Sequence, residues 1–199
     1  MKWFRLIAIG WTLLSAASPC RSAESPFVKS LAEKHWGDAV QKIEWATSVY
    51  VSECFPGTEV YQVGLANPLA ALTGPPTRLA TIALRGRDAA FLESDADAVA
   101  YFSRSKLKVK NARDAMVVAR AFADLCGHRL MRAPPGGVAK PPATDWRVTV
   151  ESTPAGWSVH YTLLTEPHLK QCRRYKVTVS RDGKVTAGSL QLVYGSLYQ

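Results

Sequence analysis

Acidic residues are scarce. The 199-residue chain carries 16 Asp and Glu against 25 Lys and Arg, a formal net charge of +9. That balance favours loose contact with anionic surfaces. It does not indicate specific nucleic-acid recognition, because the basic residues are spread along the chain and no nucleic-acid motif accompanies them. Also missing are a Gly-rich phosphate loop, a Gly-x-Ser-x-Gly elbow and a His-Glu-x-x-His pair, so no chemistry with those signatures is indicated. No apolar run reaches the roughly 20 residues of a membrane-spanning helix. Cysteine and histidine number four each, and no standard zinc-ligand spacing joins them. What remains is a 47% hydrophobic composition, enough to build a core and unlike that of a disordered chain. The length suits one domain.

The first residues predict export. Lys2 and Arg5 form a positive start, Leu6 to Ala17 a short apolar run, and small residues follow. Residues 1–22 are expected to leave as a signal peptide, with cleavage near Ser22–Ala23, and residues 23–199 to form one α+β domain. An uncleaved anchor is the alternative. Leu14 to Cys20 loosely resembles a bacterial lipoprotein signal with Cys20 as the lipidated residue. Pro19 departs from that pattern, where a small residue is wanted. Removal of residues 1–22 takes away three basic residues and no acidic one, leaving 22 basic and 16 acidic, or +6.

The most regular stretch runs from Asp145 to Tyr194. Apolar and polar residues alternate in Trp146–Val150, Trp157–Leu163 and Tyr175–Val179. A period of two puts one set on each face of a strand, and the β-branched and aromatic content suits half-buried strands. Pro154-Ala155-Gly156 marks the first turn. Asp182-Gly183 marks another, read as a two-residue type I′ hairpin turn. Beyond it the apolar phase slips between Ala187 and Leu190, so a one-residue bulge is expected at Gly188-Ser189. Before the stretch, Asn111 is an N-cap and Asp114 lies in the first turn. Ala115, Val118, Ala119, Phe122, Leu125 and Cys126 recur at helical spacing, with Gly127 at the end. One helix with an apolar stripe and one sheet with an apolar face complete each other. The predicted fold is therefore α+β, an antiparallel meander packed by one main helix.

The first half is less regular. Ser25-Pro26 predicts a helix start, with Phe27, Leu31 and His35 on one face and Gly37 as its end. Ile43, Trp45, Val49 and Val51 alternate, which predicts a strand over 42–51, with a longer helix as the rival reading. Further strands are expected at 58–64, 78–84 and 88–92, the last two as a hairpin across Arg85-Gly86-Arg87. Ser94, Asp95 and Asp97 read as the cap of a short helix through Phe102. Lys106, Lys108 and Lys110 read as a solvated, protective edge, with an anion-binding stripe as the alternative. Residues 67–77 and 133–143 read as Pro- and Gly-rich loops, the second a possible subdivision point. Whether the early strands join the late sheet is left open.

The helix Ala115–Cys126 with the strand-turn-strand Tyr175–Val185 resembles the modules of cystatin-like and PepSY-type secreted proteins. The resemblance covers about half of the chain. It implies a two-layer, non-catalytic binding or inhibitory module. The Gln-x-Val-x-Gly inhibitory motif is absent, Gln62-Val63-Gly64 being only part of it, so no functional residue is carried over.

Candidate chemistry rests on Cys54, Cys126 and Cys172. In an exported chain one disulfide and one spare thiol are expected among them, with the pairing open. Cys126 on the apolar stripe also fits a buried thiol. Cys126-Gly127-His128 and His168 to Cys172 admit a metal reading, which the oxidising compartment opposes. Among His35, His128, His160 and His168 none sits in a catalytic signature, and His160 is expected on a polar strand face. Trp146 and Trp157 are expected in the core, as are Trp36 and Trp45, for which an exposed binding patch is the alternative. The leading functional expectation is a non-enzymatic module of the bacterial envelope, periplasmic or secreted, without a cofactor, that binds an unknown protein or small ligand. A Cys/His or metal-dependent enzyme, and a basic envelope-associated structural protein, are the alternatives.

Overall fold

A computed structural model describes residues 25–66, 77–133, 146–166 and 171–194. The signal region with Cys20, nearly all of the two Pro- and Gly-rich loops, and His168 lie outside them.

The α+β class holds, with helices packed on two antiparallel sheets. In chain order the elements are α1 (Pro26–Trp36), β1 (Val40–Ala46), α2 (Val49–Cys54), β2 (Thr58–Ala66), β3 (Thr77–Arg85), β4 (Asp88–Leu92), α3 (Asp95–Ser103), α4 (Ala112–Leu125), β5 (Leu130–Met131), β6 (Thr149–Thr153), β7 (Gly156–Glu166), β8 (Gln171–Ser180) and β9 (Val185–Tyr194). Strands β1 to β4 form one sheet in sequence order. The second sheet has the order β5-β7-β8-β9, with β6 also paired to β7. The early strands thus form their own sheet, and two more helices join the main one between the sheets.

Two cores result. Val28 and Ala32 of α1 pack with Ile43, Tyr61, Val63, Leu65 and Ile82 on one face of the first sheet. The larger core takes Val60 and Ala83 from its other face. It joins them to Val51, Phe102, most of α4, and Trp157, Val159, Tyr161, Tyr175, Val177 and Val179 of the second sheet. Phe102 and Phe122 are fully buried, each worth about 2–3 kcal/mol of apolar transfer.

The meander agrees with the alternation, although the first strand begins at Thr149, and Trp146 precedes it. The register step from Val177↔Ala187 to Tyr175↔Leu190 is the bulge at Gly188-Ser189. A Cβ on Gly188 would meet the Lys176 carbonyl oxygen, so only glycine fits there. The Asp182-Gly183 hairpin has a different turn. Gly183 N–H donates to Ser180 O and Ser180 N–H to Lys184 O, at 3.0 and 2.9 Å, and Gly183 takes a positive φ, 79°. This is the three-residue loop in which a left-handed residue follows a turn. The backbone N–H of Val109 donates to Arg181 O, so the segment before α4 lies against this turn.

Three first-half readings change. Residues 42–51 are neither one strand nor one helix. The Ser48 side chain accepts from Val51 N–H, ends the extended run and starts α2. The Ser48 hydroxyl also donates to Asp124 of α4, a contact that alternation along β1 cannot reveal. On α1 the buried pair is Val28 and Ala32, while Phe27 is exposed. The sheet meets the stripe one residue along from the expected one. Trp45 is 45% exposed rather than in the core, on edge strand β1 opposite Tyr61. Trp146 and Trp157 are buried as expected.

Gly183→Ala should lower unfolding free energy by about 2–3 kcal/mol, from a strained φ and overpacking. The added Cβ would meet Leu107 Cβ at 2.5 Å and Leu107 O at 2.8 Å. Urea denaturation should show a lower midpoint, and an unchanged midpoint would contradict this turn. Hydrogen bonds from Ser180 and Lys184 hold the Asp182 carboxyl at about 2, below its ordinary 3.8. A carboxyl depressed in the folded state stabilises above its unfolded value and loses that contribution as pH falls through the folded one. Asp182→Asn should therefore be slightly destabilising at pH 7, and the difference should close between about pH 4 and 2. Stability curves across that range check it.

Candidate functional site

The end of α4 is built by local hydrogen bonds. Cys126 is the C-cap. Gly127 N–H donates to Asp124 O and His128 N–H to Ala123 O, with Gly127 at φ 66°. These two bonds make a Schellman closure. The tight turn fixes Cys126 and His128 on either side of a glycine at the helix end.

Asp95 arrives from α3. The Ser94 side chain accepts from Asp97 N–H, and Asp97 Oδ2 accepts from Glu93 N–H and the Ser94 hydroxyl. That reciprocal cap serves the helix start. Asp95 was expected to share the capping role, but it turns away to the α4 end. Its Oδ1 lies 3.0 Å from His128 Nε2, and its Oδ2 accepts the Tyr175 hydroxyl. His128 Nδ1 lies 3.4 Å from the Tyr161 hydroxyl. Tyr161 and Tyr175 are direct cross-strand partners on β7 and β8, with ring centroids 5.5 Å apart. The His128 ring meets the Tyr175 ring edge-on at 5.1 Å.

The electrostatics follow from this packing. Burial pushes the Asp95 carboxyl up. Hydrogen bonds from His128, Tyr175 and Cys126, with attraction to His128, outweigh burial and hold it at about 2. Burial, and then the Asp95 charge, push the Cys126 thiol far upward. Burial also raises Tyr161 and Tyr175, and Asp95 contributes in both. The thiol therefore remains protonated at neutral pH. Both His128 ring nitrogens face other partners. Cys126 and His128 are thus not arranged as a nucleophile and its activating base.

One ligand atom each from Asp95, Cys126 and His128 lies within 4.8 Å of the others. Sequence spacing offered Cys126 and His128 but not Asp95. The one available signal was its place beside a complete Ser94/Asp97 cap, where a second carboxylate has no local task. Of the other histidines, His35 stacks on Phe91 at 4.0 Å. His160 lies on the outer face of the second sheet, 3.7 Å from Glu151.

The expected disulfide is not formed. No disulfide joins Cys54, Cys126 and Cys172. They lie on the end of α2, the α4 C-cap and the start of β8. Burial holds the Cys54 thiol at about 12, with repulsion from Glu53 adding to it, and it raises Cys172 as well.

A second feature lies at β4, the last strand of the first sheet. Two adjoining depressions of about 300 and 410 Å³ share Ala89, Ala90, Tyr101 and Arg104. On the strand side their lining runs through consecutive residues Asp88 to Glu93. On the helix side it includes Asp97, Ala100, Tyr101 and Arg104. Those four are spaced i, i+3, i+4, i+7, one face of α3 running into its C-cap. His35 and Phe55 extend the lining at either side of the strand. The result is a groove between a strand edge and a helix face.

No family model, no curated protein and no solved structure matches the chain.

With no disulfide among them, Cys54, Cys126 and Cys172 should each be alkylated after denaturation without reductant. In the native protein Cys126 should react far more slowly than an exposed cysteine at the same pH. Mass mapping of the labelled peptides checks both, and an unlabelled pair would restore a disulfide.

Proposed function

We propose that this chain is an exported, non-enzymatic binding module of the bacterial envelope, periplasmic or secreted. Its partner contributes an extended acidic segment, which adds as a strand to the edge of β4 that no described strand pairs. The observation that carries this reading is the groove between β4 and α3. A strand edge offers backbone donors and acceptors to an added strand, and a facing helix offers side-chain selectivity. Chemistry favours an acidic occupant. Arg85 and Arg104 line the groove and make no ion pair among the described residues. Of the three carboxylates in the lining, Glu93 is engaged by Trp36 and His35 and Asp97 by the helix cap, which leaves Asp88 against the two arginines, and the chain is basic overall. The resemblance to cystatin-like and PepSY-type modules points to binding rather than catalysis. So does the buried, protonated state of Cys126, which argues against a thiol nucleophile.

Selection of extended peptides from a displayed random library on the folded protein tests this. Selected peptides should be rich in Asp and Glu. They should slow amide exchange at Asp88–Leu92 and bind less tightly as salt rises. Arg85→Glu with Arg104→Glu should weaken them about tenfold, since each exposed charge contact is worth up to about 1 kcal/mol. Peptides that protect other surfaces, or that tolerate the double reversal, would reject the groove. A saturable turnover lost on Cys54→Ala or His128→Ala would reject the binding-only reading in favour of an enzyme.

A further inference from the structure

We propose that Asp95, Cys126 and His128 form a mononuclear site for a zinc-class divalent cation, independent of the groove's occupant. Three facts support it. The first is the donor set. A thiolate, an imidazole and a carboxylate are all zinc ligands, and the pairing of sulfur with imidazole favours zinc over magnesium or calcium. The second is geometry. Bonds of about 2.0–2.1 Å at a tetrahedral angle would separate the His128 nitrogen and the Asp95 oxygen by about 3.3 Å. They now lie 3.0 Å apart, so the pair needs to open by only a few tenths of an ångström. The Cys126 sulfur is already within 4.8 Å of both.

The third is the outer ring of contacts. Metal-bound histidines engage their second nitrogen, and ligating carboxylates accept further hydrogen bonds. Here Tyr161 stands at His128 Nδ1 and Tyr175 donates to the far oxygen of Asp95. Those two tyrosines leave Nε2 and Oδ1 facing each other at 3.0 Å, the two atoms an ion would come between. The sulfur separates this arrangement from an ordinary polar network. The Cys126 thiol also donates to Asp95, and its sulfur is the soft donor that suits a zinc ion. His128 is 15% and Asp95 36% exposed at the side chain, so an ion has a way in and a fourth position remains for solvent.

Binding replaces the Cys126 S–H bond with a sulfur–metal bond and releases that proton to solvent. A proton on His128 Nε2 leaves as well where the ring is doubly protonated, and in a neutral ring it passes to Nδ1, which then donates to Tyr161, while the Asp95 carboxylate is already ionised. No electron moves. The ion would join the start of α3 to the end of α4, and the two tyrosines act as positioning residues.

The test uses the reduced, tag-free exported chain, stripped with chelator and titrated with cobalt(II) and then zinc. One equivalent of cobalt should give a thiolate-to-cobalt charge-transfer band, and zinc should bleach it at one equivalent with release of protons. Cys126→Ser should abolish the band. His128→Ala should weaken binding at least about tenfold, and Tyr161→Phe and Tyr175→Phe about tenfold each. Circular dichroism of every variant separates loss of the site from loss of the fold. Tyr175→Phe, which removes only a hydroxyl, serves as the folded control. No charge-transfer band in the folded wild-type chain, or a band that survives Cys126→Ser, would overturn the site.

Discussion

Helix α4 is buried on nearly every side, and the rest of the molecule is arranged to make that possible. Ala115, Ala119, Ala121 and Ala123 are fully covered, as are Phe122 and Leu125. The alanines let neighbouring elements approach closely, and the large residues fill what is left. Its terminal backbone groups have no partner inside the helix and are met by local caps. Asn111 and Asp114 cap its start, and the Schellman closure caps its end. Both cores also meet across the first sheet, where β2 turns Val60 to one side and Tyr61, Val63 and Leu65 to the other.

The polar cluster is a consequence of that enclosure. Closing the α4 C-terminus turns the chain sharply, which delivers Cys126 and His128 against the tyrosines of β7 and β8. Asp95 then enters from α3, whose cap is already complete. A carboxylate in such a half-buried place is retained because three donors surround it. The same surroundings keep the Cys126 thiol protonated in the absence of an ion. A cation would reverse that preference, because a positive charge favours the thiolate that burial and Asp95 oppose. Burial that makes a poor nucleophile is therefore compatible with a good ligand.

The groove and the cluster share α3. Asp95 at its first turn faces the α4 end, and Asp97, Ala100, Tyr101 and Arg104 face β4. The helix is short, nine residues, so its position is set by packing more than by its own propensity. Phe102 fixes its buried side against Phe55 and Phe122. Anything that holds the helix start would also hold the wall of the groove.

What the sequence determined by itself was local. The alternation of the second sheet, the Asn111 and Ser94 caps, the Gly86 hairpin and the bulge at Gly188 all depend on residues within a few positions of one another, where backbone geometry and hydrogen bonding decide. The same local reading failed where a local signal had two uses. Ser48 in an alternating run became a cap, and Phe27 lay one position away from the face that α1 buries. The association of Asp95 with His128 and Tyr175 was not legible, because those residues stand 33 and 80 positions apart and no periodicity links them. Nor could cysteine number decide pairing, since that depends on which elements meet. Those outcomes belong to tertiary structure, because only the packing of helices between two sheets sets which distant side chains share a space.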